Sequence, residues 1–348
     1  MKIDDLKKIL KLPVIAAPLF IISNPEMVLA QCKAGIVGSF PALNARGDGE
    51  LERWLERIES GIAKFEIKES LKDFPSKIAP FAVNQIVHSS NKRLEKDLKI
   101  CVDRKVPIMI TSLRPPDEVV GAAHSYGGLV FHDIVNIRHA EKAIKANVDG
   151  LILVAGGAGG HAGKMNPMVL VSEVKKIFDG PIVLAGTISK GEHILAAQAM
   201  GADYAYIGTR FIASNESSAS QQYKKMILES HAKDIIYTDL FTGIPGNYLR
   251  NSVINAGFDP VNKPLINKMK LASLFIIEKF SKKLNFTKFD KQGAKIWKDI
   301  WSAGQGVGSI ESVSSIKSIV VKLEQEYLHA LSKLKLNTDQ IVKNNTNQ

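Results

Sequence analysis

The residues best placed to do chemistry lie in Leu151–Gly163, which reads LILVAGGAGGHAG. The run Leu151–Val154 has the unbroken apolar character of a strand buried on both faces. It leads into a loop with five glycines among the eight residues Gly156–Gly163, and one histidine, His161, sits inside that loop. Glycine admits positive φ and lets backbone approach a flat or phosphorylated ligand closely. A neutral imidazole, with an ordinary pKa of about 6.5, suits general-base work near pH 7. Taken alone, the string also fits a surface turn with an incidental histidine.

A second chemistry is written twice. AGTIS and IGTRF each end an apolar run in Gly-Thr and lead into a helix-like stretch, placing Gly186-Thr187 and Gly208-Thr209 22 residues apart. Backbone N–H groups at such turns, aided by the helix dipole, form a phosphate site. Asn84 and Gln85, in FAVNQ, could hydrogen-bond the polar edge of a flat ring, with His132 or Thr111 beneath it. Gln305, between glycines in SAGQG, could fold back toward the same place. Walker-type nucleotide binding is excluded by the absence of GxxxxGK[ST], and zinc-protease chemistry by the absence of HExxH. His124 and His132 stand eight residues apart without paired carboxylates, so no metal site is expected.

These residues need a scaffold that brings the ends of several strands together. Strand-like runs are expected at Val14–Ala17, Ile36–Phe40, Ala79–Val83, Pro107–Thr111, Gly128–His132, Leu151–Ala155, Ile182–Ala185 and Tyr204–Ile207. Helix-like runs alternate with them at 25–34, 49–62, 92–104, 116–125, 137–147, 169–178, 190–200 and 216–230. Eight βα units are the number that closes a TIM barrel, whose chemistry gathers at the strand C-termini. An open doubly wound sheet would carry GxGxxG after its first strand, where APLFIISN has no glycine. Residues 2–11 form a short amphipathic segment suited to plugging the barrel floor. The expected organisation is a barrel over 1–235, a C-terminal loop and helices over 236–336, with helical runs at 261–284, 289–300 and 311–336, and a frayed polar tail over 337–348. Tyr237, Phe241 and Tyr248 are expected to pack these segments onto the barrel.

Composition narrows the class. The chain has 348 residues, 45% of them hydrophobic, and a net charge of +11. From Gly257 onward there are 15 lysines and no arginine against 8 acidic residues, so most of the excess lies in the last quarter. Lysines spread along helical runs without aromatic or arginine interleaving read as a solvated face rather than a nucleic-acid surface. The N-terminus carries no secretory pattern, and the longest apolar run, Pro13–Ile22, is ten residues, too short to span a bilayer. Cys32 and Cys101, far apart in sequence, read as reduced, buried thiols of a cytoplasmic protein.

The segments PVIAAPLFIISNPEMVLAQCKAGIVGSFPA, FAVNQ, AGGAGGHAG, PIVLAGTISKGEHILAAQAMGADYAYIGTRFIAS and WSAGQGVG, in that order from Pro13 to Gly308, resemble the nitronate monooxygenase family, once called 2-nitropropane dioxygenases. Flavin-dependent enoyl-acyl carrier protein reductases share most of the pattern. The resemblance implies FMN, with its phosphate on Gly186, Thr187, Gly208 and Thr209. It implies ring contacts from Ala17, Asn84 and the Gly159–Gly160 part of the loop, and His161 as catalytic base. Two departures stand out: the family usually has Gly-Gly where this chain has Gly186-Thr187, and often a lysine near the flavin from the fifth strand, where this chain is read as placing His132.

The implied activity is oxidation of alkyl nitronates, nitroalkanes or propionate 3-nitronate by O2, with the nitronate and O2 as partners and a homodimer compatible with the pattern. Two alternatives remain on the residues: an NAD(P)H-dependent flavin reductase of enoyl-thioester or quinone type, and a non-catalytic flavin- or nucleic-acid-binding protein.

Overall fold

The structure is a computed structural model that describes residues 2–72, 77–240, 243–258 and 299–346. The helical runs expected at 261–284 and over most of 289–300, and Phe241, lie outside the described residues.

Eight parallel strands form the barrel: β1 (Val14–Ala16), β2 (Gly38–Pro41), β3 (Phe81–Val87), β4 (Ile108–Leu113), β5 (Leu129–Ile134), β6 (Gly150–Val154), β8 (Ile182–Ala185) and β9 (Tyr204–Ile207). From β2 onward each pairs with the next in this order, and β9 returns to β1 through Val14–Ala205, Ile15–Tyr206 and Ala16–Ile207. The remaining seam, between β1 and β2, is bridged at Ile15–Val37, where the Ala16 N–H donates to Val37 O at 2.9 Å. All eight expected strands are present, shifted at their ends by up to four residues.

Alternation along the strands sorts the side chains into two layers. Ile15, Val37, Ala82, Ile110, Phe131, Ile152, Val183 and Tyr204 fill the barrel interior, and fully buried Leu6 from α1 (Ile3–Ile9) joins them at the floor. Burying a leucine in this way stabilises by about 1.5–3 kcal/mol. Val83, Met109, Val130, Ile134, Leu151, Leu153 and Leu184 point outward into the helix layer.

That layer is α2 (Pro25–Lys33), α3 (Glu50–Ser70), α4 (Leu94–Asp103), α5 (Asp117–His124), α6 (Ile137–Lys145), α7 (Pro167–Val174) and α8 (Gly191–Met200). Several of their starts are chemically marked. Asn24 and Asn166 cap α2 and α7, each followed by a proline at the first helical position, and Asn136 caps α6. After β9 come short α9 (Thr209–Ile212) and α10 (Gln221–Glu229).

The place between α8 and α2 is taken by the C-terminal helix α12 (Ile316–Thr346), not by the run expected at 216–230. Ile316, Ile319, Val320 and Leu323 pack with Ile194 and Met27, and Tyr327 Oη bonds Gln198 Oε1 at 2.7 Å. The backbone of α12 continues helically to Thr346, where the polar tail was expected to fray.

Two further strands, β10 (Ile235–Thr238) and β11 (Gly246–Leu249), form an antiparallel hairpin followed by α11 (Arg250–Asn255). The sequence reading sees only a turn-rich segment there.

Candidate active site

The glycine loop after β6 is gripped from two sides. On one side β11 pairs with β7 (Gly160–His161), matching Gly246 with His161 and Asn247 with Gly160. The Ala162 N–H donates to Pro245 O at 3.3 Å, Tyr237 Oη donates to Ala162 O at 2.8 Å, and buried Asn247 donates from Nδ2 to Ala158 O at 2.6 Å. On the other side the turn Gln305–Ser309 presses in. Gln305 N–H donates to Gly157 O at 2.9 Å. A Cβ at Gly159 would stand 2.8 Å from Gly304 N, so two backbones meet with no room for side chains. Gly160, at φ +70°, is different: nothing stands within 4 Å of where its Cβ would be, so this part of the loop faces open space.

His161 is therefore held by a three-stranded sheet at the barrel mouth. It is partly buried, and that burial holds its imidazole below the ordinary histidine pKa. The ring is neutral at pH 7, the form in which it can accept a proton.

The two Gly-Thr turns sit beside the loop. Gly186 (φ +129°) abuts Gly156 O, and Gly208 lies against Ala17 and Leu19. Among the described residues, the N–H groups of Thr187 and Gly208 pair with no backbone carbonyl outside the helices and strands. Thr209 Oγ1 accepts from the Gly304 N–H at 2.9 Å, tying this turn to the Gln305 segment. Thr187 Oγ1 donates to Gly186 O at 2.7 Å, so its hydroxyl proton is used within its own turn. Arg210, the next residue after the second turn, is buried and points to Ser312 O at 3.3 Å.

Strand parity corrects one expectation. Because Phe131 faces the barrel interior and Val130 and Ile134 face the helices, His132 faces outward. It is 3% exposed, bonds Thr111 through Nδ1 at 2.8 Å, and is pushed down to about 4 by burial and by nearby His139. His132 and Thr111 thus belong to the layer between sheet and helices, away from the mouth. Gln85 also turns outward, bonding Cys101. Both cysteines are free, buried, and raised to about 12 by burial.

The side chain on β5 that reaches the mouth is Asp133, a residue to which the sequence reading assigns no role. Ser112 Oγ donates to its Oδ2 at 2.6 Å, and Asn84 Nδ2 donates to Ser112 Oγ at 3.0 Å. Asp133 Oδ1 and Tyr206 Oη are both shielded from solvent and, among the described residues, without a hydrogen-bond partner.

The residues present fit a flavin. Unengaged N–H groups at the two Gly-Thr turns suit a phosphate, the open side of Gly160 and small Ala17 suit a flat ring, and the unpartnered atoms of Asp133 and Tyr206 await a polar edge. Among the described residues no cluster of three His, Cys, Asp or Glu side chains could hold a metal ion, and no helix is long and apolar enough to cross a membrane.

The profile of the nitronate monooxygenase family matches residues 4–326. A nitronate monooxygenase of Paraburkholderia phytofirmans is 26% identical over 278 residues, covering 71% of this chain and 76% of that protein. Two other curated relatives, 28% and 26% identical, are matched over only 66% and 64% of their own lengths. In fold, the chain is similar to FabK from Thermotoga maritima, with a TM-score of 0.73, 23% identity and coverage of 96% and 97% of the two chains. It is similar in the same way to the nitroalkane oxidase of Streptomyces ansochromogenes, with a TM-score of 0.72, 21% identity and coverage of 95% and 99%.

Proposed function

The chain belongs to the nitronate monooxygenase family, and on that premise we propose that it oxidises small alkyl nitronates with bound FMN and O2, His161 serving as base when a neutral nitroalkane is offered. The observation that carries this reading is the setting of His161: a neutral imidazole at the barrel mouth, fixed by β7 and β11 beside an open glycine. Hydrogens α to a nitro group are acidic because the anion delocalises onto two oxygens. A base held neutral at pH 7 and already oriented can take such a proton without reorganising. The chemistry a bound flavin supplies there is acceptance of electrons from the nitronate and their delivery to O2.

The chain's own part is to bind and orient. Gly186, Thr187, Gly208 and Thr209 would hold the phosphate by backbone N–H groups. Ala17, Asn84, Gly159 and Gly160 would border the ring, and Gln305 would close the rim where it meets Gly157. His132, which the sequence reading placed beside the ring, has no part in this reading. A nitronate arrives already deprotonated, so for that substrate His161 only positions it.

The test follows from this difference. In the FMN-loaded protein under anaerobic conditions, His161→Asn should slow flavin bleaching by nitroethane about 10²–10⁴-fold, the usual contribution of a general base. Bleaching by ethylnitronate should be far less affected, and FMN content should match wild type. Equal slowing with both substrates would remove proton abstraction from the role of His161.

A further inference from the structure

The inner wall of the barrel mouth is divided. Ser39, Asn84, Ser112 and Asp133, on the consecutive strands β2 to β5, make one half polar, while Val154, Ala185, Ala17 and Gly208 make the other half apolar or bare apart from the Tyr206 hydroxyl. Within the polar half, hydrogen bonds run in one direction, from Asn84 to Ser112 to Asp133 Oδ2. The relay stops at Oδ1, which is shielded from solvent and has no partner among the described residues.

From the strands packed against β5, β4 offers Ser112 and β6 offers Val154. Across the barrel the titratable group that faces Asp133 is Tyr206 on β9, whose phenol is raised by burial and then by the Asp133 charge. Among the described residues no lysine, arginine or histidine forms an ion pair with Asp133.

A carboxylate so placed has one hydrogen bond and no countercharge, an expensive arrangement away from water. A carboxylic acid has no charge to solvate, but its O–H then needs an acceptor. Neither Tyr206 nor any other described side chain supplies one. A flat ligand with one polar and one apolar edge, seated across the mouth, would match both halves of the wall and satisfy the stranded atom. Resting on the flavin reading above, we propose that Asp133 donates a hydrogen bond from Oδ1, as a neutral acid, to an acceptor on the polar edge of the flavin, with Asn84 and Ser112 holding its carboxyl in place.

Burial outweighs the Ser112 hydrogen bond and pushes Asp133 up to about 7. The acid form therefore dominates below that pH. Above it a negative charge develops against the ring and opposes the addition of electrons. The same residue would thus tune the flavin's reduction potential across the neutral range.

The experiment is a reductive titration of the FMN-loaded full chain, at intervals from about pH 5.5 to about pH 8.5, for wild type, Asp133→Asn and Ser112→Ala. In wild type the potential should fall with an added steepness above about pH 7. In Asp133→Asn that added steepness should vanish, and the potential should stay near the value extrapolated from acidic wild type. Ser112→Ala removes a donor to the ionised form, so it should move the break to higher pH; it also decides the matter if Asp133→Asn fails to fold. Identical profiles in wild type and either folded variant would overturn the proposal while leaving the flavin reading intact. A folded wild type that retains no FMN would overturn both.

Discussion

Thr187 holds φ at +57°, a left-handed conformation that a β-branched residue rarely adopts and glycine adopts freely. Its neighbour in the fold explains why the turn is kept: the methyl of Thr187 stands 2.7 Å from where a Cβ on Gly157 would be, filling the space above the glycine loop. The left-handed geometry costs about 1–2 kcal/mol, whereas glycine's extra freedom in the unfolded chain returns only about 0.4–1. Thr187→Gly is therefore expected to be more stable than Thr187→Ala by about 0.5–1 kcal/mol, the reverse of the order at ordinary positions, as read from thermal or denaturant unfolding. At this scale the sequence was informative about residue type and poor about direction. His161 and the Gly-Thr turns stand out in the sequence because of their glycines, and the fold brings them together at one end of the barrel. In FHDI the histidine drew attention, yet only the inward placement of Phe131 reveals that Asp133 reaches the mouth and His132 does not. Strand parity counted from the apolar residues, not from the polar one, was the available signal.

At the level of elements, the strands were legible because each is an apolar run five or so residues long between turns. Less legible were the two pieces that complete the barrel from far away. The hairpin β10–β11 has four-residue strands, and its third partner, β7, lies about 75 residues earlier in the chain, as the Tyr237–Ala162 bond records. No local periodicity announces such a pairing. Helix α12 was expected as a helix, but its berth against α8 depends on Gly191. A Cβ there would lie 2.2 Å from both Leu323 O and Tyr327 N, and the Gly191 N–H donates to Glu326 at 2.8 Å. Since those are backbone atoms, the collision can be relieved only by moving α12. Gly191→Ala is expected to destabilise by about 1–3 kcal/mol. Gly121→Ala, in α5 where nothing stands within 4 Å, is expected to stabilise by about 0.5–1 kcal/mol. Parallel melts of the two variants check the packing of α12, and equal shifts in the two would contradict it.

For the molecule as a whole, the eight-fold βα alternation and the order of the glycine-rich segments make both the barrel and its family resemblance readable in the sequence. The fold by itself does not choose a reaction, because FabK and nitroalkane oxidase share it with this chain to nearly the same degree. On the function proposed above, what chooses is the content of the mouth: a neutral imidazole beside an open glycine, backbone N–H groups at the two Gly-Thr turns that would hold a phosphate, and a wall polar on one half. The most direct measurement is anaerobic mixing of the purified, FMN-loaded protein with ethylnitronate and, separately, with NADH and NADPH, following flavin absorbance. The account predicts rapid bleaching by the nitronate and none of comparable rate by either nicotinamide. Rapid bleaching by NADH or NADPH, with the flavin inert to nitronate, would contradict it and identify a reductase.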